Sequence, residues 1–443
     1  MVKLSRRTLA DLRGPWIRTV STYGLAQLVL AIGAFARIPL LITDLGAAGY
    51  GTIVAISGLA IVVLAVADGL SQTTRVVLID LGPGGRREAG DLQRQANTLG
   101  LLVVVAIALS AVVTYLSSAP LRSSILAGLL CVLGASLAIF GGPSKGVLES
   151  REQTASVNLM QTSTTIVGLP ILILALYLSP TIEVAAAVTG VGLALPYLAS
   201  TLLAVFRYWR PERLGGEPLG LFATFKDLCV SSRAKGIRQM VVWAWANSLN
   251  YAFDALIVAL VVGTIAAADF GLASRIMTMA MLLSLALAPL VTARVARWRL
   301  VFSAFDFRKK LKDASLKLMA GSAVVVAVSL IIAEPLADWL SNGEITPQFS
   351  LFAWLGVFAV LSAATMPLMA AFAGRGGSAF RTGASVACAV LNVAISISLT
   401  GQLGPIGPVI GSVVGLCCLS TVLLIRARNR PDLLLLTHAE AAR

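Results

Sequence analysis

Charge is scarce in this 443-residue chain. Asp, Glu, Lys and Arg make up 13% of it, while 57% is hydrophobic; a soluble protein carries about 25% charged residues. With a mean hydropathy of +0.87, an ordinary soluble domain is excluded and a polytopic membrane protein is implied. Histidine is nearly absent. The single one, His438, sits in the C-terminal tail, which excludes a histidine base, a serine–histidine pair and a histidine metal site. The five cysteines, Cys131, Cys229, Cys388, Cys417 and Cys418, show no CxxC spacing, and four fall in apolar runs. They read as packing residues, not as a metal or redox centre. There is no GxxxxGK[ST] loop, so nothing points to an ATP-driven pump. No long loop is present on the weakly charged side to hold a glycosyltransferase or ligase active site, and the chain does not read as an enzyme. No cofactor is expected beyond coupling to protons, sodium or the membrane potential.

What is abundant is apolar sequence of spanning length, about 20 residues per helix. Such runs place about twelve helices at 20–43, 49–76, 97–117, 122–142, 155–178, 181–206, 239–263, 267–293, 314–335, 349–372, 382–402 and 404–425. The basic residues that give the net charge of +14 lie between these runs, not on a phosphate-binding face, so nucleic acid is not expected. If the spans alternate, the N-terminal arginines, Arg86 and Arg87, Lys145 and Arg151, the 207–238 cluster, the 294–312 cluster, Arg375 and Arg381, and Arg426 to Arg430 share one side. The opposite loops show essentially only Arg122. That bias places both termini in the cytoplasm. Residues 1–18 lack a cleavage-type segment, so the first span reads as an uncleaved anchor.

The basic 207–238 segment divides the spans six and six, giving an N-terminal lobe of residues 1–206 and a C-terminal lobe of 239–443 with a short tail. The halves echo each other. LGAAGYG at 45–51 precedes an apolar helix ending in TTRV at 73–76, and AAADFG at 266–271 precedes one ending in TARV at 292–295. Six intervening spans give both halves the same orientation. The expected fold is therefore an all-α polytopic membrane protein, two six-helix lobes related by a parallel pseudo-repeat, as in secondary transporters.

Ionisable residues inside spans mark candidate sites, since each costs roughly 2.5–3.5 kcal/mol at the bilayer centre unless paired or hydrated. In the first helix Tyr23, Gln27 and Arg37 share an arc, with Pro39 close behind. Arg37 either lines a cavity or pairs with Asp44 or Asp254. In the second, Asp68, Gln72 and Arg75 share a face; Asp68 is within reach of Arg75, which otherwise snorkels at the membrane edge. The seventh helix carries a stripe of Trp243, Asn247, Asn250 and Asp254 at i, i+4, i+7 and i+11. It lines a cavity or bonds neighbouring helices. Arg275, in the eighth, lies at a depth that allows a pair with Asp254. Asn158, Gln161 and Thr165, and Asn392 and Ser396, form milder polar faces.

The first hairpin resembles the opening of the polysaccharide transporter family, lipid-linked oligosaccharide or O-antigen flippases of the multidrug/oligosaccharidyl-lipid/polysaccharide (MOP) exporter superfamily. The matching residues are Arg37, LGAAGYG at 45–51 and DGLSQ at 68–72; Asp254 in DALIVALVVG and the following AADFGL are also similar. The resemblance implies export of a glycan on an undecaprenyl diphosphate carrier across a bacterial inner membrane, by a monomer moving among membrane lipids, with association with glycan polymerase machinery an expectation. It implies a cavity cation such as Arg37 or Arg275 on the diphosphate, with Gln, Asn and Trp on sugar hydroxyls. The nearest alternative is a cation-coupled multidrug antiporter of the same superfamily; a non-transporting membrane scaffold is a third.

Overall fold

A computed structural model of the chain describes residues 13–81, 85–116, 122–150, 154–207, 234–372 and 377–429. These are helical almost throughout, with no strand among the described residues. The first lobe comprises α1 (Arg13–Leu81), α2 (Gly85–Leu116), α3 (Arg122–Ser136), α4 (Ala138–Ser150), α5 (Thr154–Leu178) and α6 (Ile182–Arg207). The second comprises α7 (Ala234–Val261), α8 (Thr264–Val301), α9 (Ala304–Ser341), α10 (Phe349–Ala371), α11 (Ser378–Leu403) and α12 (Ile406–Asn429). Eight described stretches are long and apolar enough to cross a membrane, or nine counting the bent pair Val241–Ser248 and Phe253–Val261. The helix positions follow the apolar runs because backbone groups in hydrocarbon must be satisfied within the segment.

Two features of these elements matter for the site. The two arms of α1 fold back at Gly46 with φ 70°, inside the turn expected between the first two spans. A side chain there would strain the left-handed backbone. The second lobe opens on a similar hairpin, between α7 and α8, turning at Gly263 with φ 126°. The fourth span does not end at 142. It continues as α3 and α4, broken at Leu137, to Ser150, and this carries Lys145 out of the expected loop and into a helix.

The two lobes meet most fully at the end bearing these two hairpins. A Cβ on Gly51 would strike the Thr264 carbonyl oxygen, with Ala268 N at 3.0 Å, and one on Gly271 would come 2.6 Å from Val54 Cγ2. The two glycines are counterparts in the sequence echo, and each packs on the other's helix. This reciprocal contact is what a two-fold relation between repeats produces. One hydrophobic cluster there draws on both lobes, including Ile42, Ile53 and Leu172 with Val258, Ile276 and Phe352. At the opposite end the apolar clusters stay within lobes: Phe307, Phe372 and Leu423 in the second, Leu148, Val157 and Ala204 in the first. The second arm of α1 also touches α7, where a Cβ on Gly69 would lie 2.7 Å from Val241 Cα.

Candidate substrate site

In the first lobe the polar groups converge through the segment GGPSKG, residues 141–146, on α4. Gly141 lies against the Tyr197 backbone of α6. Gly142 brings α4 so close that a Cβ would sit 2.5 Å from Ala67 O, and Gly146 lies against Ser71 O. Removing these side chains lets α4 press on α1, and Lys145 then reaches Asp68, Nζ to Oδ1 at 2.9 Å. Tyr197 donates its hydroxyl to the same oxygen at 2.7 Å, and the Lys145 ammonium lies 4.7 Å from the Tyr197 ring centroid. Ser144 donates to Gln93 Oε1 at 3.0 Å and Gln93 Nε2 to Phe140 O at 2.6 Å, anchoring the same turn. One turn further along, Arg75 pairs with Glu149 at 3.7 Å.

Both pairings correct expectations from helix arithmetic. Asp68 does not pair with Arg75, and Arg75 is not merely an edge anchor. Lys145, read as a loop residue, is the partner of Asp68. Lys145 and Tyr197 had not been singled out, although a lysine inside a Gly-Pro-rich run at a span's end was the available signal.

Arg37 and Arg275 form a second centre, near the hairpin end. A Cβ on Gly168 of α5 would come 3.0 Å from Arg37 Nη2, and one on Gly192 of α6 would come 4.0 Å from Nη1. The guanidinium therefore fits between these helices because both offer glycine. Its Nε is buried without a hydrogen-bond partner, as is the hydroxyl of Tyr50. Arg275 comes from the other lobe and is exposed. Neither arginine has an ion pair among the described residues: the pairs found are Asp68 with Lys145, Arg75 with Glu149 and Asp91 with Arg94. The proposed pairs of Arg37 with Asp44 or Asp254, and of Arg275 with Asp254, are absent. A cation without an ion pair in an apolar span is costly, and guanidinium groups suit an anionic ligand.

Two members of the α7 stripe, Trp243 and Asp254, turn into their own lobe, against α11 and α12. Asp254 is 5% exposed and turns into its own lobe. There Oδ2 accepts from Ser412 Oγ at 2.8 Å, Asn392 Nδ2 donates to Ser412 Oγ at 3.2 Å, and Ser396 donates to Asn392 Oδ1 at 3.0 Å. Gly411 permits this closeness, since its Cβ would lie 2.8 Å from Asn392 Oδ1. Asp254 Oδ1 is buried without a partner. Trp243 lies under Arg381, whose guanidinium carbon is 4.2 Å from the indole centroid. Arg381, placed in a loop from sequence, is 4% exposed in the first turn of α11. Asn247 is half-buried. The side chains of Tyr23, Gln27, Asn158, Gln161 and Asn250 lie outside the described residues.

No protein-family model matches the chain, and no curated protein matches its sequence. Its fold does match solved structures. An outward-facing multidrug resistance MATE family transporter of the MOP superfamily superposes with a TM-score of 0.68 at 16% identity, over 95% of this chain and 96% of that one. An inward-facing MATE family transporter gives 0.64 at 16%, over 93% and 98%. A MOP superfamily transporter from Pyrococcus furiosus, described as having a binding pocket of reverse polarity that suggests a different function, gives 0.66 at 17%, over 95% and 96%. The chain thus shares the overall fold of these transporters.

Proposed function

We propose that this chain is a MOP superfamily transporter that carries an amphipathic lipid with an anionic headgroup, a lipid-linked oligosaccharide on a polyprenyl diphosphate, outward across a bacterial cytoplasmic membrane. The observation that supports this reading is the presence of two intramembrane arginines, Arg37 from one lobe and Arg275 from the other, neither with an ion-pair partner among the described residues. Guanidinium groups match phosphate oxygens in a bidentate way, so a diphosphate bound between them would hold the lobes together across the cavity. Rocking of the lobes about such a centre gives alternating access. An inside-negative potential favours outward movement of the anion by about 2.3 kcal/mol per charge per 100 mV. On this reading the hairpin end faces outward and both termini face the cytoplasm.

The test is the fate of lipid-linked glycan in a deletion strain. Accumulation on the cytoplasmic leaflet is expected, with complementation by the intact chain and none by Arg37→Ala or Arg275→Ala. No accumulation, together with full complementation by Arg37→Ala, would sink the reading. A second reading, a cation-coupled multidrug antiporter, draws on the multidrug transporters of like fold and on the half-exposed carboxylate of Asp68. It predicts hypersensitivity to lipophilic cations on deletion and no change in lipid-linked glycan.

A further inference from the structure

Asp68 is the accessible member of an otherwise enclosed triad. Its side chain is 44% exposed, against 13% for Lys145, and Tyr197 is buried. Both donors land on one oxygen, Oδ1, while Oδ2 takes no hydrogen bond among the described residues. The carboxylate is matched from behind and has a free oxygen in front. Its location is set by α6: Gly192 lies beside the Arg37 guanidinium, and Tyr197 is five residues further along the same helix. That spacing sets Tyr197 about 7–8 Å further along the α6 axis than Gly192 and about 140° around it, so the triad is a centre separate from the arginines. On α1, Asp68 also flanks Gly69, which touches α7 of the other lobe. The triad therefore lies next to the lobe interface.

We propose that Asp68 is a second substrate subsite, beside the lobe interface and separate from the arginine centre, that accepts hydrogen bonds from the hydroxyl groups of a saccharide; Lys145 and Tyr197 are its positioning residues. This rests on the anionic-cargo reading above. The choice of ligand follows from charge. An isolated carboxylate in a membrane would draw a cation, but here an ammonium already sits 2.9 Å away. Another cation is repelled. A neutral hydroxyl donor takes the free oxygen at no electrostatic cost, and a hydrogen bond to an ionised acceptor belongs to the stronger class. Without Lys145 the same carboxylate would bind cations; with it the site selects hydroxyls.

The experiment uses the full chain in lipid nanodiscs and two probes, a bare polyprenyl diphosphate and the same lipid bearing a disaccharide. The intact protein is expected to bind the glycosylated lipid about tenfold or more tighter than the bare one. The paired variant Asp68→Leu/Lys145→Met removes the charge together with its partner, a change the fold tolerates better than loss of either alone. It is expected to bind both lipids equally, with the bare-lipid Kd of the intact protein. Should that variant unfold early, Tyr197→Phe serves, with the preference for the glycosylated lipid reduced a few-fold. Arg37→Gln should weaken both probes. A paired variant that keeps the preference overturns the subsite and leaves the anion centre standing. One that loses both lipids while folded overturns it in favour of a purely structural pair. Binding of tetraphenylphosphonium that disappears in the paired variant overturns it in favour of a cation site. If the intact protein binds neither lipid, the anionic-cargo reading falls and takes the subsite with it.

Discussion

Each lobe buries a carboxylate in its interior network, and the two are treated in opposite ways. In the first lobe Asp68 is ion-paired to Lys145, bonded to Tyr197 and half-exposed. In the second Asp254 has no cation among the described residues, leans on the hydroxyl of Ser412, and is sealed with Oδ1 unmatched. The repeat conserved the helix plan but not the electrostatics. A duplicated scaffold holds its fold through glycine and apolar contacts, which leaves polar positions free to diverge.

The comparison can be broken by substitution, and the largest effect is expected at Asp68. Asp68→Leu strands the buried Lys145 ammonium and should cost about 3–5 kcal/mol of stability, read as a drop in thermal unfolding midpoint in detergent. Lys145→Met should cost less, because water reaches the carboxylate left behind, and the paired change should be nearly neutral. A cycle showing simple additivity would refute the pairing.

Next comes the reciprocal contact at the hairpin end. Gly51→Leu meets a backbone carbonyl that cannot rotate away and should cost about 3 kcal/mol, whereas Gly271→Leu meets the Val54 side chain and should cost about 1 kcal/mol. Equal costs in thermal unfolding would contradict the asymmetry of the packing.

The second lobe should respond more mildly. Ser412→Ala leaves Asp254 without its hydrogen bond and should cost about 1–3 kcal/mol. Asp254→Asn, which keeps an acceptor for Ser412 and removes an ionisable group that has no cation among the described residues, should leave stability unchanged or raise it, the reverse of Asp68→Leu; a large loss in chemical denaturation would show a hidden cation partner. The smallest effect is expected from Arg381→Lys, which keeps the charge but loses planar stacking on Trp243, about 1 kcal/mol in the same assay.

Much of this was legible in the sequence. The apolar runs mark the helices, and the echo of LGAAGYG in AAADFG anticipates the contact of Gly51 and Gly271. Arg37 and Arg275 were legible as costly intramembrane charges. The partners were not legible. Spacing along one helix offered Arg75 to Asp68, because i+7 is the only geometry a single helix supplies. Lys145 looked like part of a basic loop because GGPSKG combines the residues that usually end helices. In the fold the same glycines let α4 continue against α1 and α6.

Hydropathy is summed residue by residue along the chain, so the sequence by itself determined a membrane-embedded, all-helical protein of two repeated halves. Ion pairing depends on distances of a few ångströms between helices remote in sequence. Those distances are decided where glycine lets backbones touch, and only the tertiary structure decided that Asp68 faces Lys145 and that Asp254 faces Ser412.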